Sequence, residues 1–215
     1  LAPDAGSRQR IGIVGDVYTR VNVHANDHLY DRLQGLGFEV WTSCTVMDVS
    51  LVGVEQLSAE LARQGRAGAS FAARGLVPLV AGLRWSIDRL FPADIRTPQE
   101  RQFPRIHAAA ERYASHWIDK ALSLNLSRVE EFHQAGAHGV VNVMCHGCML
   151  GMVTSALLPD LRRDAEGMPL MSLVYEGLQS THTVNRLEAF ADRVRQRAKG
   201  EGRATNVERP PQETT

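Results

Sequence analysis

Residues Val140 to Gly151 read Val-Val-Asn-Val-Met-Cys-His-Gly-Cys-Met-Leu-Gly. An apolar, β-branched run ends in two thiols, Cys145 and Cys148, and a helix-like stretch follows. An open α/β sheet keeps its chemistry at such a place, the carboxyl end of a strand facing a helix N-terminus. Backbone N–H groups and the helix dipole are expected to stabilise thiolates there. Gly147 lets the turn bend or a bound group approach the backbone closely, and Gly151 is assigned the same role where the helix begins.

Outward from this turn, the same alternation of strand and helix recurs. Arg10 to Gly15 is a short apolar run ending in glycine, the pattern of a buried parallel strand. Asp16 to Asn26 is polar and reads as a loop. Asn26 or Asp27 caps a helix through Leu36, with Leu29, Leu33 and Leu36 on one face and Gly37 as the stop. Phe38 to Thr42 is a second strand, which makes a right-handed βαβ crossover the expected connection. Gly139 to Met144 is the third strand. A helix over Val153 to Arg163 with a break near Pro159, a fourth strand over Leu170 to Tyr175 and a helix from Thr181 or His182 to Ala198 complete the pattern.

The stretch between the second and third strands reads differently. Helical spacing covers Val54 to Ala62, Ala67 to Leu90, Ile106 to Leu122 and Ser127 to Ala135, and two prolines mark Arg96 to Pro104 as a loop. The expected organisation is therefore a linker over residues 1–9 and an α/β domain over 10–198, with a helical insertion at about 45–135. A disordered polar tail over 199–215 follows. The chain opens Leu-Ala-Pro-Asp without an initiator Met, and a further part of the protein is expected upstream.

Composition narrows the function. The 215 residues are 44% hydrophobic and 22% charged, enough to bury a core. Lys plus Arg equals Asp plus Glu at 24 each, so the global basic footprint of a nucleic-acid-binding protein is absent. No run approaches the roughly 18 apolar residues of a membrane span, and no signal peptide is evident. Three cysteines do not make a disulfide framework, and a reducing cytoplasm is expected.

Three chemistries suit the two thiols. A thiol–disulfide pair needs CxxC at a helix start. Structural zinc needs four ligands, so His146, Cys44 or His138 would have to join, and His146 sits awkwardly inside the CxxC. An iron–sulfur cluster takes soft thiolates and tolerates an open position. The residues alone leave these open, beside the simple alternative of two partly buried, inert thiols. Asp16, Arg20 and Asn22 follow the first strand on the thiols' predicted edge, as cluster or pocket lining or as an ion pair and a capping Asn. Tyr175 and Glu176 end the fourth strand there, with Tyr175 a candidate donor to a cluster sulfide. His24 and His28 have HxxxH spacing but straddle the expected helix start, so they read as structural. The other histidines are treated the same way. Gly12 and Gly15 do not make a dinucleotide fingerprint, and there is no P-loop.

Three segments resemble the closing domain of the 2-hydroxyacyl-CoA dehydratase-like superfamily, in particular its acyl-CoA dehydratase activase-related proteins. They are Ile11-Gly-Ile-Val-Gly-Asp-Val-Tyr-Thr-Arg-Val-Asn22, Gly139 to Gly151, and Leu173-Val-Tyr-Glu-Gly177 with Arg186-Leu-Glu-Ala-Phe190. They cover residues 10–44 and 135–197 in the family's order. The resemblance implies a doubly wound, flavodoxin- or Rossmann-like parallel sheet with one side of a [4Fe–4S] or double-cubane iron–sulfur cluster. The rest would be held by an upstream domain of the same polypeptide. It also implies electrons delivered by an ATP-dependent activase for reduction or dehydration of acyl-CoA-type substrates. Cys148 matches the family's cysteine, while Cys145 stands where many relatives have proline. Many relatives also have Glu at Asp16 and Asp at Glu176. Cys145, Cys148, Gly147, Asp16 and Tyr175 are the candidate cofactor residues, with the two cysteines as metal ligands and Cys44 as a buried thiol.

Overall fold

The computed structural model describes residues 8–42, 46–90, 110–114, 120–176 and 181–207. Its strands are β1 (Arg10–Gly15), β2 (Glu39–Thr42), β3 (Gly139–Cys145) and β4 (Leu170–Tyr175). Its helices are α1 (Val17–Val21), α2 (Leu29–Gly35), α3 (Val46–Arg63), α4 (Ala67–Leu90), α5 (Lys120–Gln134), α6 (Met149–Asp164) and α7 (Thr181–Val207). The strands form one parallel sheet in the order β2-β1-β3-β4, the α/β doubly wound arrangement.

Two compact parts divide the chain, residues 1–40 with 132–215, and residues 41–131. The first holds the α/β core. Ile11 and Ile13 of β1, Val141 and Val143 of β3, and Met171 and Leu173 of β4 lie on one sheet face with Leu29 and Leu33 of α2 and Leu187, Phe190 and Val194 of α7. Alternation puts Gly12 and Asn142 on the other face. There the Phe132 ring fills the place of a side chain at Gly12, and Met144 fills that of Gly151 in α6. Both faces are thus covered, as nearly unbroken apolar strands require. In the second part α3 and α4 pack as a helical hairpin turned at Gly65, and the Ser70 hydroxyl donates to the Ser58 carbonyl at 2.8 Å.

Several boundaries differ from the sequence reading. The loop after β1 contains a short helix, α1, because Asp16 Oδ2 accepts from both Thr19 N and Thr19 Oγ1 at 2.7 Å. α2 begins at Leu29, and Asn26 still serves its start, its Oδ1 accepting from Leu29 N at 3.2 Å. α3 starts earlier, at Val46. α6 starts at Met149 and runs unbroken past Pro159. α7 continues to Val207, so residues 199–207, expected in a disordered tail, are helical. Lys199, Glu201, Arg203 and Ala204 favour that extension despite Gly200 and Gly202. Residues 1–7 of the linker, the proline loop at 96–104, most of the Ile106–Leu122 helix, Cys44 and the tail from 208 lie outside the described residues. Among the described residues no helix is long and apolar enough to cross a membrane.

Gly15 is the position where glycine is required. Its φ is +114°, and a Cβ there would run into the Val143 carbonyl and amide. Gly37 has φ +89° but open space around it. Gly15→Ala should cost about 2 kcal/mol or more and Gly37→Ala about 1 kcal/mol, both read from urea unfolding midpoints. Equal losses would show that the β1–β3 contact is not tight.

Candidate functional site

The chain leaves β1 toward β2 on one side and returns at β3 on the other. The strand order therefore reverses between β1 and β3. At such a switch point the connections diverge and leave a crevice beyond the strand ends. Asp16 and the Cys145–Cys148 turn occupy this edge. Gly15 lies opposite Val143, and Asp16 N donates to Val143 O at 2.8 Å.

Cys145 closes β3 opposite Tyr175, and its side chain is exposed. The chain turns through His146 and Gly147, where φ is +72° and nothing lies near the absent Cβ. Cys148 N donates to Cys145 O at 3.2 Å, which folds the two cysteines together. Cys148 is then the N-cap of α6, its Sγ accepting from Gly151 N at 3.4 Å. Gly151 lies in the first helical turn and lets the helix seat on Met144, in place of the backbone bend expected of it. A polar layer supports the turn from below. Asn142 is fully buried and donates to Ser172 Oγ at 3.0 Å, and Ser155 Oγ lies 2.6 Å from Ser172 Oγ.

The electrostatics correct one expectation. The Cys145 thiol is pushed above the ordinary thiol range, first by desolvation, then by the Asp16 carboxylate and by Cys148, with which it shares a hydrogen bond. The helix N-terminus does not govern this thiol. Desolvation leads, the nearby Asp16 carboxylate adds to it, and both oppose the thiolate. Burial also raises the Tyr175 phenol, reinforced by the Asp27 carboxylate and opposed by Arg32. Asp27 and Arg32 form an ion pair at 2.8 Å. Tyr175 thus stays a neutral phenol, packed against the core from its partly buried strand end.

The remaining sequence candidates sort by position. Asn22 Oδ1 accepts from His24 N and Ala25 N at 3.0 and 3.1 Å, a local turn. Arg20 is almost wholly buried, and its carbonyl accepts from Asn26 Nδ2. His146 and Glu176 pair at 3.2 Å as an exposed couple beside the thiols. His24 and His28 meet edge to face at 5.9 Å, next to the left-handed residues Asp27 and His28. His138 precedes β3, so the strand's length separates it from the thiols, and its Nδ1 accepts from Arg10 N at 3.1 Å. It cannot join Cys145 and Cys148 around one zinc. Among the described residues no three His, Cys, Asp or Glu side chains gather as a metal site.

Sequence reasoning missed the Asp27–Arg32 pair beside Tyr175 and the buried Asn142 layer. Asn142 was detectable as the single polar residue inside an apolar strand.

Two outcomes are expected at this edge. In a chain with Cys44 and Cys148 changed to Ser, Asp16→Asn should speed iodoacetamide alkylation of Cys145 about threefold at pH 8, since removing the charge lowers the thiol pKa. An unchanged rate would remove Asp16 as the controlling charge. Tyr175 is protonated in both folded and unfolded chains below pH about 10. Above that the unfolded chain ionises first, so stability should fall by up to about 1.4 kcal/mol per pH unit. Tyr175→Phe should flatten that fall in melts between pH 9 and 11. An identical fall in the variant would place the cause elsewhere. Comparison of the chain with protein-family models, with curated proteins and with solved structures finds no match.

Proposed function

We propose that this α/β body is one half of an iron–sulfur electron-transfer site in an acyl-CoA dehydratase activase-related protein. In this reading Cys148 is the principal cluster ligand and Cys145 the second. The observation that carries it is the meeting of two accessible thiols at the β1–β3 switch point, on a turn that Gly147 leaves open. Soft sulfur donors on a short turn fit a [4Fe–4S] or double-cubane centre. They supply only part of a ligand set, which fits a cluster shared with an upstream domain of the same polypeptide. Exposed Tyr18, Val21, Met149 and Met152 lie on the elements flanking the same edge and suit a surface that another domain covers.

When bound, the cluster would supply single electrons, received through an ATP-dependent activase, for reduction or dehydration of an acyl-CoA-type substrate. This chain's own residues hold and tune it. Cys148 ligates from the helix cap, where Gly151 N already donates to its sulfur. Asp16 sets the local charge, Gly147 keeps the approach clear, and Tyr175 offers a neutral hydroxyl at the strand end. A reducing cytoplasm suits such thiols. The raised Cys145 thiol does not suit a thioredoxin-like pair, whose attacking cysteine depends on a depressed thiol pKa.

The test is iron and acid-labile sulfide analysis with EPR on the full-length natural protein, prepared without oxygen. Iron and sulfide should be present and should fall to background with Cys148→Ser, with a smaller loss for Cys145→Ser. A full-length protein that takes up neither under reconstitution overturns the reading. Stoichiometric zinc would then favour a structural metal, a reversible Cys145–Cys148 disulfide a redox pair, and neither a cluster-free interaction domain.

A further inference from the structure

The loop between α1 and α2 carries the HxxxH pair, His24 and His28, in an arrangement that spacing alone does not give. On a continuous helix the two rings would stand one turn apart on a shared face. Here no helix joins them. Asp27 and His28 both adopt left-handed backbone, with φ of 51° and 55°, and the chain doubles back before α2 begins at Leu29. The two imidazoles meet, their ring centroids 5.9 Å apart and their planes at 87°. Both residues are exposed.

The backbone that carries them is held from several sides. Asn22 Oδ1 accepts from His24 N at 3.0 Å, and His28 N donates to the Val23 carbonyl at 3.0 Å. The buried Asn26 donates to the Arg20 carbonyl at 3.1 Å and accepts from Leu29 N at 3.2 Å. Arg32 donates to the Asp27 carbonyl at 2.7 Å and pairs with the Asp27 carboxylate. Left-handed residues other than glycine cost about 1–3 kcal/mol each, and such strain persists only where the surroundings over-determine it. His28 also has an orienting partner, its Nδ1 lying 3.4 Å from Asp31 Oδ2. An ionised carboxylate only accepts, so in the neutral imidazole Nδ1 carries the proton and Nε2 keeps its lone pair. A carboxylate on the far nitrogen is the arrangement that readies an imidazole for a metal.

We propose that His24 and His28 form a surface site for one zinc-like divalent cation. Nε2 of His28 and a ring nitrogen of His24 are the ligands, Asp31 is the orienting carboxylate, and water fills the remaining positions. Imidazole nitrogen selects d-block ions of this kind over the oxygen-seeking Mg²⁺ and Ca²⁺. At a zinc–nitrogen distance of roughly 2.0–2.1 Å, each ring centroid stands about 3.1 Å from the metal. Two rings on one tetrahedral ion are then about 5 Å apart, so closing from 5.9 Å takes less than about 1 Å of movement by exposed side chains. Only two protein side chains ligate, and among the described residues no third His, Cys, Asp or Glu joins them. The site does not depend on the iron–sulfur reading.

Isothermal titration of the full chain with zinc chloride tests it, with Cys44, Cys145 and Cys148 changed to Ser so that no thiol competes. One equivalent should bind with a micromolar dissociation constant. His24→Gln or His28→Gln should weaken binding at least about tenfold, because a single imidazole remains. Asp31→Asn should weaken it by a smaller factor, since both ligands stay. His182→Gln removes an exposed histidine elsewhere and should change nothing. Circular dichroism checks that each variant is folded. The natural chain is titrated in parallel, where His24→Gln should remove one equivalent and leave the thiols' own uptake. No saturable binding at about 0.1 mM zinc overturns the proposal. So does uptake that survives both histidine changes, or that His182→Gln weakens equally, which would mean scattered surface binding only.

Discussion

The close parallel pairing of β1 with β3 is the constraint on which the rest of the α/β body depends. Gly15 lies opposite Val143 with no room for a side chain, and Asp16 continues the contact by donating to the Val143 carbonyl. That contact holds the end of β1 beside the end of β3. It also brings Asp16 to the cysteine turn, although more than 120 residues of chain separate them. A slip of one residue would send Val141 and Val143 to the wrong face and turn the buried Asn142 toward the apolar core.

The thiol edge shows how two influences compete at one turn. A helix N-terminus favours negative charge, and Cys148 accepts the Gly151 N–H as a cap should. Cys145 stands three residues earlier, at the strand end, where Asp16 and Cys148 both disfavour its ionisation. A free thiolate is therefore unfavourable at Cys145, whereas a bound cation would offset the Asp16 carboxylate and the sulfur charges together. The edge is electrostatically suited to a positively charged centre, in keeping with the cluster proposed for it.

Much of this was legible from local pattern. β1, β3 and β4 are short apolar runs closed by turns, because parallel strands covered on both faces leave no polar side to interrupt them. Their limits read from the sequence agree with the structure to within one residue. α4 was legible over Ala67 to Leu90 from the helical spacing of its apolar residues. Short or cap-dependent elements were less visible. α1 is five residues long and exists through the Asp16 cap, and the left-handed Asp27 and His28 carry no glycine signal. A break near Pro159 and a helix end at Ala198 were expected from the sequence, and α6 and α7 run past both.

By itself the sequence determined the parallel α/β alternation, the helical stretch inside it and the placing of Cys145 and Cys148 at a strand-to-helix turn. Each follows from hydrophobic period and turn residues over a few neighbouring positions. Only the tertiary structure decided which residues face one another. It set Asp16 against Cys145, Asp27 against Tyr175, Ser155 and Ser172 beneath Asn142, and His24 beside His28. It also removed His138 from the thiols by the length of a strand. The physical reason is that charge and ligation act through space over a few ångströms. Strand order and helix packing set those distances, and neither is written in the spacing of residues along the chain.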